Sequence, residues 1–382
     1  MTTPTLHRRQ FQRILLIKPS AVGDVVHALP VLSKLRARYP TARIDWVLTP
    51  SIAELVDHHP ALSNVVLFDR SVFTRDWRDW LAGMTRMLVD LWQTRYDLVI
   101  DLHGQFRSAV LTLATRAPVR LGFDRPHNGP RSPLDRQLVA NAYRHGWTGA
   151  REGAWLAYTH RIPLLRSDVH AVDRYLSLTP ILGLDDDPPD FHVPIPPHST
   201  ARVEALLDEH GLRGQPFAVL VPGTIWPTKH WHVEGFAAVA RHLRSSGRAV
   251  VLSGSPSERP RCQAVAAQAP GVVDLCGETT LSELAALIRR AEVCVTNDSG
   301  SMHLTVALDR PVVSVFGPTD PVWIGPYRWP EAVVRAEVDC APCYFRQLRA
   351  CPHNHACMTG VTPGMVIARI EHVLTAGRRA TA

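Results

Sequence analysis

The chain carries the same pattern twice, and that repetition limits its fold more than any other feature. Short apolar runs that read as strands, RILLIKP, RIDWVLT, NVVLF and YDLVID, are separated by helical periodicity from Val25 to Tyr39, near Ile52 to Val56, and from about Trp77 to Gln93. Continuously apolar strands alternating with helices indicate βαβ units around a parallel sheet buried on both faces. From Gly122 to His160 the pattern fails and Arg, His, Pro and Trp accumulate; a helix is expected again over about Asp168 to Leu182. The stretch DDDPPDFHVPIPPHST, Asp185 to Thr200, holds five prolines in sixteen residues. It suits neither a helix nor a central strand and reads as a linker. Beyond it the alternation resumes with FAVLVPG, AVVLSGS, VVDLCG, VCVTND and VVSVFGP. The expectation is an α/β chain of two Rossmann-like domains, 1–184 and 201–382, joined by the linker 185–200. Ligands of such sheets sit beyond the carboxyl ends of the strands, so two facing sheets would create one interdomain cleft.

A length of 382 residues fits two domains. No apolar run approaches the roughly 18 residues of a membrane span, and MTTPTLHRRQ has no apolar stretch after its basic residues, so the expected compartment is the cytoplasm. The formal charge of +7 is spread thinly and includes no arginine tract with interleaved aromatics. It points away from nucleic acid and towards a phosphorylated ligand or an anionic membrane surface.

Chemistry-bearing residues gather at the predicted strand ends. In VTNDSGSMHLTVALDRPVVSVFGPTDP a strand ends at Asn297 and Asp298, Ser299, Gly300 and Ser301 make a turn, and a helix begins near Met302. Free N–H groups at a helix start suit a diphosphate, Asp298 can accept from sugar hydroxyls, and His303 follows in the first turn. On this stretch alone, the same residues read more simply as an N-cap and a satisfied first turn. In VLVPGTIWPTKHW, Lys229 is a flexible point cation for phosphate and Thr224 a hydroxyl donor at another strand end of the same sheet. The first strand runs into KPSAVGDVVHALP, whose single glycine, Gly23, matches neither a dinucleotide fingerprint nor a phosphate loop. The carboxylate beside it, Asp24, is either an N-cap or a working group.

Taken together, KPSAVGDVVHALP, YDLVIDLHGQFRSA, PGTIWPTKHW and NDSGSMHLTVALDRPVVSVFGPTDP resemble the lipopolysaccharide heptosyltransferases, glycosyltransferase family 9, in order and spacing from about Arg13 to Leu374. The resemblance implies a GT-B architecture, an acceptor-binding first domain, and a second domain holding ADP-heptose. It implies transfer of heptose with inversion and without a catalytic metal. Carried over by position, Asp24 matches the general base, Thr224 and Lys229 match donor-phosphate contacts, and Asp298, Ser299, Gly300 and His303 match the donor-binding turn. Asp101 and His103, at another strand end of the first domain, are the alternative base or acceptor contacts.

The family's type I enzymes carry Thr-Thr-Arg-Asp-Asp before the Lys-His-Trp, where this chain has Gly-Thr-Ile-Trp-Pro-Thr. The acceptor therefore stays open between Kdo and the first heptose of the lipid A core at the inner membrane surface. Arg125 and Arg131, in the irregular segment, suit the carboxylates and phosphates of such an acceptor. The tail CAPCYFRQLRACPHNHAC places Cys340, Cys343, Cys351 and Cys357 close together, as a structural zinc or iron knuckle or as reduced thiols. That cluster is expected to be remote from the donor turn because it lies far along the chain, and Cys262, Cys276 and Cys294 are expected in the core. Transfer to a protein acceptor, nucleotide-sugar epimerisation and nucleotide-sugar binding without turnover are the competing readings.

Overall fold

The computed structural model describes residues 6–69, 77–125, 149–163 and 169–380. The chain divides into two compact units, Met1–His192 and Val193–Ala382, each built on one six-stranded parallel sheet.

In the first unit the strands are β1 (Arg13–Ile17), β2 (Arg43–Leu48), β3 (Asn64–Leu67), β4 (Leu98–Asp101), β5 (Val119–Phe123) and β6 (His160–Ile162), in the order β3-β2-β1-β4-β5-β6. Ile14, Leu15, Leu16 and Ile17 are all fully buried, as a central strand covered on both faces requires. The helix Val22–Arg38 follows β1 and packs against the helix Ala171–Leu176. The helix expected from Asp168 to Leu182 is two pieces, Ala171–Leu176 and Thr179–Leu182. Pro180 falls in the first turn of the second piece, where its missing N–H costs nothing.

The proline-rich stretch is less free than its composition suggests. Lys34, buried in the helix Val22–Arg38, donates to the carbonyls of Asp185 (3.1 Å) and Asp187 (2.8 Å) and pairs with the Asp185 carboxylate. Ser33 donates to Asp190 at 3.3 Å. The first unit thus holds this segment as far as His192, and the helix Pro197–Glu209 then starts inside the proline-rich stretch, with proline at its first position.

The second unit repeats the topology with β7 (Phe217–Val221), β8 (Ala249–Leu252), β9 (Val273–Asp274), β10 (Val293–Asn297), β11 (Val312–Phe316) and β12 (Val333–Arg335), ordered β12-β11-β10-β7-β8-β9. The two-residue pleat is explicit in β7. Ala218 and Leu220 join the core formed with Phe236, Trp231 and Ile370, while Phe217, Val219 and Val221 face Val203, Leu206 and Leu287. Each buried Val, Leu or Phe of this kind contributes about 1.5–3 kcal/mol. Truncating Leu220 to alanine is expected to cost about 2–5 kcal/mol.

In both sheets the order reverses beside the first strand, between β1 and β4 and between β7 and β10. The crevice at such a switch point, beyond the carboxyl ends of the strands, is where open parallel sheets bind ligands. Asp24, Asp101 and His103 fall at the first of these points, and Thr224, Lys229, Asp298, Ser299, Gly300 and His303 at the second. Among the described residues no helix is long and apolar enough to cross a membrane.

Candidate active site

In the first unit, the turn after β1 leads into the helix Val22–Arg38, whose cap position is Ala21, and Asp24 is the third helical residue rather than the cap. Its Oδ2 accepts from the Ala21 N–H at 3.3 Å and lies 3.1 Å from the Lys18 ammonium, and Tyr175 donates its hydroxyl to Oδ1 at 3.2 Å. A carboxylate here also meets the positive end of the helix. Lys18 is 8% exposed and Asp24 34% exposed, so the cation is sealed while the carboxylate keeps a face open. Burial alone would push the Asp24 carboxyl up. The Lys18 ammonium, helped by nearby His103, outweighs that and holds it below the usual carboxylate range. Burial first, then the charge on Asp24, pushes the Tyr175 phenol up to about 12. At neutral pH the cluster is therefore an ammonium, a carboxylate and a neutral phenol.

Asp101, the last residue of β4, does not fit its alternative assignment as base or acceptor contact. It is fully buried and both its oxygens are engaged. Tyr158 donates to Oδ2 at 2.7 Å, and the His103 and Gly104 N–H groups donate to Oδ1 at 2.9 and 3.0 Å. Asp101 shapes the turn and offers no oxygen to a ligand. Gly104 completes that turn at φ +64°, where an added Cβ would also meet the Ala150 backbone at 3.2 Å. His103 is half-buried beside Asp24. Arg125 is exposed, its backbone N–H held by Asp124 at 2.7 Å, and Arg131 lies outside the described residues.

In the second unit, Lys229 and Asp298 form an ion pair of 2.6 Å across the ends of β7 and β10. Thr319, in the loop after β11, donates to the same Asp298 oxygen at 2.5 Å, and Thr224 donates to the Asp298 carbonyl at 3.1 Å. Asp298 is only 3% exposed, so it acts as the anchor of Lys229 rather than as an open acceptor for sugar hydroxyls. The helix Gly300–Ala307 starts directly after this pair. Ser299 occupies its cap position, but its hydroxyl is taken by Thr296 (2.9 Å) and Ser301 (2.6 Å), and it makes no cap bond. The first N–H groups of a helix have no acceptors within it, so this terminus keeps its capacity for an anion. His303, in the same helix, is largely buried.

Several residues that matter here had no role assigned from the sequence. Asn297 stitches the two strand ends, accepting from the Trp231 N–H at 3.0 Å and donating to the Pro222 carbonyl at 2.7 Å. Trp226 receives two cations over its ring, Lys229 at 4.5 Å and Arg346 at 4.6 Å. Tyr175 reaches Asp24 from 151 positions away. Lys18, by contrast, stood inside the first motif and only its partner was unread.

Arg346 belongs to the cysteine-rich tail, and the tail is not remote from the donor turn. Cys343 and Tyr344 donate backbone N–H groups to the Pro318 carbonyl at 3.0 and 2.7 Å. Thr228 donates to the Phe345 carbonyl, and the His355 ring donates to the Thr228 carbonyl, both at 2.5 Å. Distance along the chain was a poor guide because the tail folds back onto the loops that carry Lys229 and Thr319. Its four thiols do not draw together as tightly as three ligands of one ion would. Among the described residues, the group that brings three metal-ligating atoms within 4.8 Å of one another is Cys262, Asp274 and Cys276. The four tail thiols still feel one another: Cys357 is pushed up to about 12 by burial, with smaller contributions from Cys343, Cys340 and Cys351. Cys294 is buried in the core as expected.

Comparison with known proteins identifies the family and the fold. The glycosyltransferase family 9 (heptosyltransferase) model matches residues 84–143 and 136–353. Lipopolysaccharide heptosyltransferase 1 of Pseudomonas aeruginosa is 30% identical over 383 residues, covering 95% of this chain and 98% of that one. The structure of E. coli heptosyltransferase WaaC with ADP is 27% identical with a TM-score of 0.71, covering 95% of this chain and 100% of that one. A glycosyltransferase family 9 structure from Veillonella parvula has a TM-score of 0.77 at 23% identity, covering 98% and 99%, and shows the shared fold. The fold is the α/β GT-B class, and the chain belongs to glycosyltransferase family 9, the heptosyltransferases.

Proposed function

We propose that this protein is an inverting transferase that moves heptose from ADP-heptose to a hydroxyl of the lipopolysaccharide inner core, on Kdo or on the first heptose. The observation that carries this reading is the second unit's cation and helix start. Lys229 is fixed by Asp298 and Thr319 beside the helix Gly300–Ala307, with Arg346 held nearby on Trp226. A departing diphosphate gains negative charge, and fixed cations and backbone N–H groups stabilise it without reorganising. The solved E. coli relative carries ADP in its title at 27% identity, which supports an adenine nucleotide donor.

In the first unit Asp24 takes the acceptor proton. The acceptor oxygen attacks the anomeric carbon, the bond from that carbon to the diphosphate oxygen breaks with its electron pair leaving on ADP, and the hydroxyl proton passes to Asp24. A single displacement inverts the anomeric centre. Because Lys18 holds Asp24 below the usual carboxylate range, proton transfer is favourable only late, when bond formation has made the hydroxyl acidic. An acceptor carried on lipid A places the protein at the cytoplasmic face of the inner membrane as a peripheral enzyme. The net charge of +7 suits that surface.

The test is release of ADP from ADP-heptose by the purified protein, alone, with Kdo-terminated lipid A, and with the same acceptor already carrying one heptose. Release that depends on one of these acceptors is the expected result and identifies the acceptor sugar. Release independent of acceptor, or none with either, would refute the reading.

A further inference from the structure

The second unit brings together three side chains that the transfer chemistry does not use. Cys262 lies in the helix Arg259–Gln268, Asp274 ends β9, and Cys276 follows two residues later. Their Sγ and carboxylate oxygen atoms all lie within 4.8 Å of one another. Both thiols are buried, and Asp274 is half-buried. We propose that Cys262, Asp274 and Cys276 form a structural site for a thiophilic divalent cation of the zinc class.

The donor set selects the metal. Two thiolates and one carboxylate suit a borderline-soft d10 ion, whereas magnesium and calcium require oxygen ligands throughout. Tetrahedral zinc with sulfur at about 2.3 Å separates two thiolates by about 3.8 Å, so the present spacing needs to close by about 1 Å at most. The local bonds already set the geometry. The Asp274 Oδ1 accepts from the Cys276 N–H at 3.0 Å, which fixes the carboxylate relative to that cysteine. The two Sγ atoms lie 3.8 Å (Cys262) and 3.4 Å (Cys276) from the carbonyls of Ser253 and Ser255, in the loop after β8.

The site has a consequence for that loop. Glu258 closes it by accepting from the Ser255 N–H at 2.7 Å and from the Ser255 hydroxyl at 2.8 Å. The Glu258 carboxylate lies directly over Gly223, next to Thr224; a Cβ at Gly223 would come within 2.1 Å of it. At Gly254 a Cβ would meet Glu258 at 3.0 Å on one side and Cys276 Sγ at 3.1 Å on the other. A cation held by the two thiols and Asp274 therefore ties the helix Arg259–Gln268, the end of β9 and the loop after β8 into one unit behind Glu258.

The experiment is a cobalt(II) titration of the reduced full-length protein under argon, reading thiolate-to-cobalt charge transfer in the near ultraviolet and the visible bands of tetrahedral cobalt. One equivalent is expected to bind and to be displaced by zinc. Cys262→Ser and Cys276→Ser should each lose that equivalent. Asp274→Asn, which keeps both thiols and the acceptor for the Cys276 N–H, should bind at least about tenfold more weakly and lose the rise in Tm that zinc gives the parent protein. A double variant Cys343→Ser with Cys351→Ser should retain it. If the cysteine variants fail to fold, Asp274→Asn decides. The proposal is overturned if no thiolate–cobalt band forms, if the equivalent is lost only in the Cys343/Cys351 variant, if Asp274→Asn binds like the parent, or if thiol titration of freshly purified protein finds Cys262 and Cys276 joined as a disulfide.

Discussion

Replacing Asp24 with asparagine separates its chemical role from its structural one, provided that Lys18 is changed as well. Asparagine keeps one oxygen for the Ala21 N–H and turns its amide NH2 to the Tyr175 hydroxyl, which must then accept rather than donate, and it strands the Lys18 ammonium, which is 8% exposed and 3.1 Å from the lost charge. Breaking a fully buried pair costs about 3–5 kcal/mol, and an exposed pair is worth about 0–1. With Asp24 34% exposed, we expect a loss of about 1–3 kcal/mol. For a unit of this size that is a fall in Tm of roughly 2–12 °C. Adding Lys18→Met removes the stranded cation and should recover at least about 1 kcal/mol, measured as the coupling in a double-mutant cycle. Turnover should behave differently: Asp24→Asn is expected to lose about two to four orders of magnitude in acceptor-dependent ADP release, and the double variant should remain as slow. The assay pairs thermal melts with ADP release in both backgrounds. If the double variant regained turnover together with stability, Asp24 would be only Lys18's partner and the base would have to lie elsewhere.

Lys18→Met alone leaves Asp24 ionisable without its neighbouring ammonium, so the acid limb of kcat/KM should move up in pH, measured as a full pH–rate profile against the parent. The parent pair contributes stability above the unfolded carboxyl value of 3.8 and loses it as pH falls through the depressed value; the Lys18 share is lost only as pH rises above 10.5 through its raised value. Melts of the parent protein should therefore show no loss from this pair between those limits. Lys229→Met should lower kcat by about 10²–10³, the scale of removing one transition-state donor, while the exposed Arg346→Gln should cost about three- to tenfold in kcat/KM for the donor. Asp101→Ala should cost at least about 1–3 kcal/mol by stranding the Tyr158 hydroxyl and two turn N–H groups, yet leave the turnover of the folded fraction within a few-fold. An equal loss of kcat without loss of stability would return Asp101 to the catalytic candidates.

The strands were legible because parallel sheets buried on both faces leave uninterrupted apolar runs, as RILLI and FAVLV do, and these appear in the structure at Arg13–Ile17 and Phe217–Val221. The strand ends were legible too, since the chain must turn there and small or polar residues gather. What stayed hidden was every partner supplied from another part of the chain. Tyr175 sits in an ordinary amphipathic stretch, and nothing in its neighbours announces a hydrogen bond to Asp24. Thr319 and Arg346 meet Asp298 and Trp226 only because the loop after β11 and the tail fold back over β7 and β10. The cysteines show the same limit in the opposite direction. Four thiols close in sequence do not converge within 4.8 Å, while two thiols separated by a helix and a strand do, with Asp274 between them.

The two charges to which the proposed function assigns a role are already paired within their own unit, Asp24 with Lys18 and Lys229 with Asp298. An ion pair presents a dipole rather than a net charge, so neither site attracts counter-ions indiscriminately. A ligand gains only what remains after it has competed with the resident partner. Under the proposed function the competition at Lys229 would be eased by Thr319, whose hydroxyl would stay on the Asp298 oxygen if the lysine turned towards a phosphate, so the buried carboxylate would not be left bare. For Asp24 the equivalent support would be Tyr175, a phenol that stays protonated at neutral pH and would continue to donate if the other oxygen received the acceptor proton. Each working charge thus has one partner that can yield and one that remains. That arrangement lets a group inside a folded domain change its interaction during a reaction without the surrounding structure having to absorb an uncompensated charge.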